Sequence, residues 1–73
     1  MTANDYKPPE GGKLTLARYR AKHDVETAAN SLGVSRTTWW RWESGAKPMP
    51  KVYWEYYQLM TGQHPLKTLT NKD

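Results

Sequence analysis

The stretch from Asp24 to Pro50, DVETAANSLGVSRTTWWRWESGAKPMP, leaves this chain few ways to fold. It holds two short runs of helical periodicity split by a glycine, and each run carries its own start and stop signals. Asp24 is a candidate N-cap, because its carboxylate can accept from the unpaired amides of a first helical turn. Val25, Ala28, Ala29 and Leu32 fall at i, i+3, i+4 and i+7 and so share one face. Glu26, Thr27, Asn30 and Ser31 take the opposite face. Gly33 stands where the backbone must turn, and glycine reaches positive φ without a Cβ clash. Val34 reads as a small apolar plug and Ser35 as the N-cap of a second helix. In that helix Trp39 and Trp42, three apart, are predicted to point into the core, leaving Arg36, Thr37, Trp40 and Arg41 outside. Ser44-Gly45 ends it, and Pro48 and Pro50 forbid its continuation.

The same residues carry a family resemblance. Ala29 with Leu32-Gly33-Val34-Ser35, followed by Arg41-Trp42-Glu43-Ser44-Gly45 and Pro48, resembles the helix-turn-helix of the Cro/C1-type (XRE-like) repressors of phages and bacteria. The likeness covers residues 14–61, and its pieces stand in register with one another. The short chain and the Pro-Met-Pro run before an aromatic last helix are also similar to small phage-borne autoregulators, including anti-CRISPR-associated repressors. The resemblance implies an all-α fold, a compact bundle of four or five short helices built around a helix-turn-helix. It also implies a structural ion pair between Arg18 and Glu43, tying the first helix to the end of the recognition helix. A solvated Arg18 is the alternative, and it would contribute little to stability. One position departs from the pattern: the family commonly has a backbone-touching glutamine where this chain has Val25. Arg18, Arg20, Lys22 and His23 are candidates to compensate for it.

The flanks fit a single domain. Residues 1–12 lack apolar periodicity and contain Pro8-Pro9 and Gly11-Gly12, which predicts a flexible arm, either a plain leader or a segment reaching into a groove. Residues 13–62 are expected to hold the DNA-binding domain. Its first helix spans Lys13 to His23, with Leu14, Ala17 and Ala21 facing the core and Leu16 and Tyr19 beside them. A last helix is expected over Met49 to Gly62, with Pro50 in its first turn. There Tyr53, Tyr56, Tyr57 and Met60 gather on one side, widened by Val52, Trp54 and Leu59, with Lys51, Glu55 and Gln58 opposite. That apolar arc is broad for one small core, so part of it is expected to close over Trp39 and Trp42 or to pair with a second subunit. Residues 63–73 read as a tail in which Pro65 breaks the helix and Leu66 and Leu69 follow.

Composition narrows the partners. A chain of 73 residues sits near the size at which burial barely offsets chain entropy. Four Trp and five Tyr with no Phe supply the large apolar surfaces that such a core needs. The predicted core is Leu14, Ala28, Ala29, Leu32, Val34, Trp39, Trp42, Tyr53 and Tyr57. Eleven Lys and Arg against seven Asp and Glu give a net charge of +4, which favours an anionic partner. The absence of cysteine removes disulfides and thiolate zinc sites and agrees with a reducing cytoplasm. No apolar run approaches a membrane span. His23 and His64 have no neighbours at ligand or triad spacing, so neither a metal, a cofactor nor an enzyme is expected.

A recognition helix enters the major groove with its N-terminal residues against base edges. Arg36, Thr37, Trp40 and Arg41 are therefore the expected base contacts, since arginine can donate twice to guanine and threonine can meet a base or a thymine methyl. Either arginine can serve as a phosphate contact instead, and Trp40 can pack in a dimer or in the core. Ser35, Thr38 and Lys47 are the expected phosphate contacts, with a backbone amide near Lys47 as a further donor. One such module reads few base pairs, so a homodimer on palindromic double-stranded DNA is expected. The function that the resemblance implies is repression of its own promoter. An antitoxin-like protein-binding module and an excision or architectural factor are the alternatives.

Overall fold

A computed structural model describes residues 6–64. Within them lie four helices, α1 (Gly11–Arg20), α2 (Val25–Ser31), α3 (Arg36–Glu43) and α4 (Lys51–Met60), and no strand. The all-α bundle follows the sequence reading at its lower helix count. The expectations for Leu66 and Leu69 fall outside the described residues, as does the first part of the N-terminal arm.

The two caps expected in the central stretch form. Asp24 accepts from the Thr27 amide at 2.7 Å, and Ser35 accepts from the Thr38 amide at 3.1 Å. Helix α2 ends as its glycine predicts: Gly33 takes φ 72°, and the Val34 amide reaches back to the Ala29 carbonyl. The paired 5→2 and 6→1 bonds at this turn are those of a Schellman motif.

Helix α1 differs from its expected span at both ends. It begins two residues before Lys13, and its first turn packs against the end of α3 so closely that a Cβ on Gly11 would fall on the Glu43 carbonyl. It ends at Arg20 rather than His23 because Lys22 adopts the left-handed conformation, φ 62°, that glycine usually supplies. The Lys22 and His23 amides then close on the Tyr19 and Arg18 carbonyls. Within the expected N-terminal arm, Tyr6 is tied to the bundle, its hydroxyl donating to the Met49 carbonyl at 2.7 Å. Burial raises the pKa of that hydroxyl and keeps it a donor.

Helix α4 is shorter than the expected Met49 to Gly62. Pro50 is its N-cap, and Met49 lies in the preceding loop with its side chain buried in the core. Proline's fixed φ suits the entry to a helix. The loop residue before it turns inward to fill space beside the aromatic cluster.

The buried apolar core consists of Leu14, Ala17, Ala28, Ala29, Trp39, Trp42, Met49 and Tyr57. Leu32, Val34 and Tyr53, expected among the core, are partly buried and pack against it. Tyr53 lies at the edge of the core with its ring against Trp42, centroids 5.3 Å apart. The Trp39 ring sits edge-on to Tyr57 at 5.0 Å and 6.0 Å from Trp42. Such offset and edge contacts are favoured by the ring quadrupoles. The broad arc of α4 is thus divided. Tyr57 is buried, Tyr53, Trp54 and Met60 pack on the core, and Val52 and Tyr56 stay exposed. On the opposite side Lys51 is exposed, whereas Gln58 and Glu55 are half-buried, with Glu55 lying 3.4 Å from His64.

Candidate nucleic-acid interface

Helix α3 is held from behind by its own buried residues. Trp39 is wholly buried and Trp42 nearly so, which fixes the rotation of an eight-residue helix packed against both α1 and α2. The opposite side of the helix presents Arg36, Thr37, Trp40 and Arg41, all exposed. Trp40 keeps 58% of its surface uncovered. The tryptophan spacing alone predicts this division, because residues three apart on a helix share a face.

The end of α3 is tied down by a buried polar cluster centred on Glu43. Its carboxylate accepts from Arg18 Nε at 3.0 Å and Nη2 at 2.9 Å, from the Thr15 hydroxyl at 2.6 Å and from the Trp39 indole at 2.6 Å. The ion pair implied by the family resemblance is therefore present, with side-chain exposures of 11% and 7%. Burial pushes the Glu43 pKa up, but hydrogen bonds from Arg18, Thr15 and Trp39 outweigh it and hold the carboxylate below its usual 4.5. The Arg18 guanidinium is held protonated, chiefly by its hydrogen bond to Glu43. It also donates to the His23 carbonyl and lies over the Tyr19 ring at 4.9 Å. Thr15 is a member that periodicity did not single out. Its signal in the sequence is its place one turn before Arg18 on the face of α1 that meets α3.

The flanking groups separate into those available to a ligand and those already engaged. Lys47 is exposed, and among the described residues its side chain has no such engagement. Ser35 is exposed too, but its hydroxyl already accepts from the Thr38 amide and donates to the hydroxyl of the half-buried Thr38, both at 3.1 Å. The backbone near Lys47 does not offer the donor that the sequence suggested: the Lys47 amide is bound to the Arg41 carbonyl at 3.1 Å, and the Ala46 amide meets the Ser44 hydroxyl. Any anion contact there must come from the lysine side chain. Of the candidates at the end of α1, Arg20 and Lys22 are exposed, whereas Arg18 is committed to Glu43. His23 is engaged too, its Nδ1 lying 2.9 Å from the Tyr57 hydroxyl. Burial raises the pKa of that hydroxyl to about 12.

Val25 is the residue of this surface that sequence reasoning placed on the inner face of α2 and, against the family pattern, at the position of a lost backbone contact. It is half-buried at the start of α2, and with Arg36, Thr37 and Trp40 it lines a shallow cleft between the first turns of α2 and α3. Its departure from the family's glutamine was the available signal. Asp24 beside it accepts from the Thr27 amide at 2.7 Å, and hydrogen bonds from Thr27 hold its carboxylate below the ordinary value. The first turn of α3 carries no acid.

Among the described residues no group of three or more His, Cys, Asp or Glu is placed to hold a metal ion, and no helix is long and apolar enough to cross a membrane. No family model matches the chain, and comparison with curated proteins and with solved structures gave no match.

Proposed function

We propose that the chain is a sequence-specific double-stranded DNA-binding transcriptional regulator of the Cro/C1 type, acting in the cytoplasm. It represses its own promoter as a homodimer on an inverted-repeat operator. The observation that carries this reading is the joint exposure of Arg36, Thr37, Trp40 and Arg41 on one side of α3 while Trp39 and Trp42 anchor the other.

A B-DNA major groove about 12 Å wide admits one helix, and the groups on α3 match what its floor offers. Arg36 and Arg41 can each donate a fork of hydrogen bonds to the O6 and N7 of guanine. Thr37 can donate to a base, and Lys47 stands at the rim to meet phosphates, joined by Ser35 when its hydroxyl turns from Thr38 to the ligand. The net charge of +4 favours the encounter at long range. Two copies related by a two-fold axis place their recognition helices about 34 Å apart, one turn of the duplex.

The test is a gel shift and footprint of the purified chain on the DNA preceding its own gene. Two protected half-sites one helical turn apart, with affinity falling steeply as salt rises, support the reading. No shift at about 50 mM salt overturns it in favour of a protein-binding module. The exposed Val52 and Tyr56 on α4 are the observation behind that second reading.

A further inference from the structure

We propose that the cleft between the first turns of α2 and α3 receives the C5-methyl group of a thymine, on a base pair adjacent to a guanine taken by Arg36. Val25 and Trp40 then add to the sequence preference that the arginines set. This inference rests on the DNA-binding reading and deepens it.

The lining of the cleft carries the argument. A site built to hold phosphate alone is lined by donors, but this one has a valine and an indole beside Thr37, with a single guanidinium at its margin. Val25 is packed against the core on one side, so its position is fixed from within. Trp40 is more than half exposed, leaving a large apolar surface uncovered in the free protein. Among the described residues Arg36 makes no ion pair and has no side-chain hydrogen bond, so its donors are free for a ligand. The edge of a thymine in the major groove offers an apolar methyl, and guanine offers two acceptors. A methyl between valine and indole, with the acceptors of a neighbouring guanine under the guanidinium, matches this pairing of apolar wall and cation. Adenine and cytosine present no methyl at that edge. The cleft also draws on two helices at once, so base preference at this position depends on α2 as well as on the recognition helix.

The experiment starts from duplexes enriched by the full chain out of a random pool. Each thymine of the enriched operator is then replaced singly by deoxyuridine, which deletes the methyl and nothing else. At one position per half-site the replacement is expected to weaken binding about fourfold, the factor for burying one methyl group. In Val25→Ala and in Trp40→Ala that sensitivity is expected to fall to near onefold. Trp40 is exposed, so its variant separates loss of the cleft from loss of folding. Retained discrimination at the guanine read by Arg36 confirms that each variant still docks. If no thymine is sensitive, or if the sensitivity survives both substitutions, the thymine assignment is overturned while DNA binding stands. If no duplex is enriched, the parent reading fails and this one falls with it.

Discussion

The indole Nε1 of Trp39 donates a 2.6 Å hydrogen bond to Oε1 of Glu43, one turn further along α3. The bond lets a wholly buried tryptophan satisfy its polar atom within its own helix, and it supplies one of four donors to a carboxylate that would otherwise be stranded. Trp39 therefore sets the rotation of α3 through its ring and helps tether the end of the helix through its nitrogen.

Arg18→Ala is expected to cost about 3–5 kcal/mol, because it leaves Glu43 buried and short of its counter-charge. Thr15→Val, which removes one hydroxyl donor to the same carboxylate, is expected to cost about 1.5–3 kcal/mol. Urea unfolding followed by tryptophan fluorescence measures both. A loss below about 1 kcal/mol for Arg18→Ala would place the pair with ordinary surface ion pairs.

Acid should act on the same group. The Glu43 pKa lies below its ordinary value of 4.5 in the folded chain, so its stabilisation is complete above that value and is lost as pH falls through the lower, native one. Glu43→Gln should be less stable than the parent at neutral pH, with the gap narrowing as acid is added. Urea midpoints between about pH 2 and pH 7 follow this directly. A gap that stays constant across the range would show that Glu43 is not the linked proton site.

Two adjacent glycines should respond in opposite directions. Gly11→Ala places a methyl against the Glu43 carbonyl and should destabilise by about 1–3 kcal/mol. Gly12→Ala meets nothing within 4 Å and should stabilise by about 0.4–1 kcal/mol through the unfolded chain. Equal effects in thermal unfolding would contradict the close approach of α1 to α3.

Lys22 occupies a left-handed conformation that costs an L residue about 1–2 kcal/mol. Lys22→Gly should relieve part of this, raising stability by up to about 1 kcal/mol after its extra unfolded-state entropy is counted. A drop in melting temperature would mean that the turn after α1 is not left-handed in solution.

On DNA, Arg36→Ala and Arg41→Ala should each cost about 1–3 kcal/mol and relax preference at one base pair per half-site. Lys47→Ala should weaken all sequences alike and lower the salt slope by about one unit per subunit. Uniform weakening by either arginine variant would reassign that arginine to phosphate.

The sequence by itself determined the local plan. Asp24 and Ser35 cap where their side chains can reach an amide three residues on, and Gly33 turns where its missing Cβ permits. Trp39 and Trp42 are buried opposite Arg36, Thr37, Trp40 and Arg41 because helical geometry alone assigns them to opposite faces. All of these are consequences of neighbours within four or so positions, which a linear reading can see. The family pattern supplied one longer link, from Arg18 to Glu43. Only the tertiary structure decided the rest. Gly11 stands in the first turn of α1 where α3 passes too close for a side chain, Met49 leaves its loop to join the buried core, and Val25 and Trp40 line one cleft from two different helices. Those outcomes depend on which surfaces are brought within van der Waals reach. That distance is set by packing between segments far apart in the chain, and no periodicity or local signal records it.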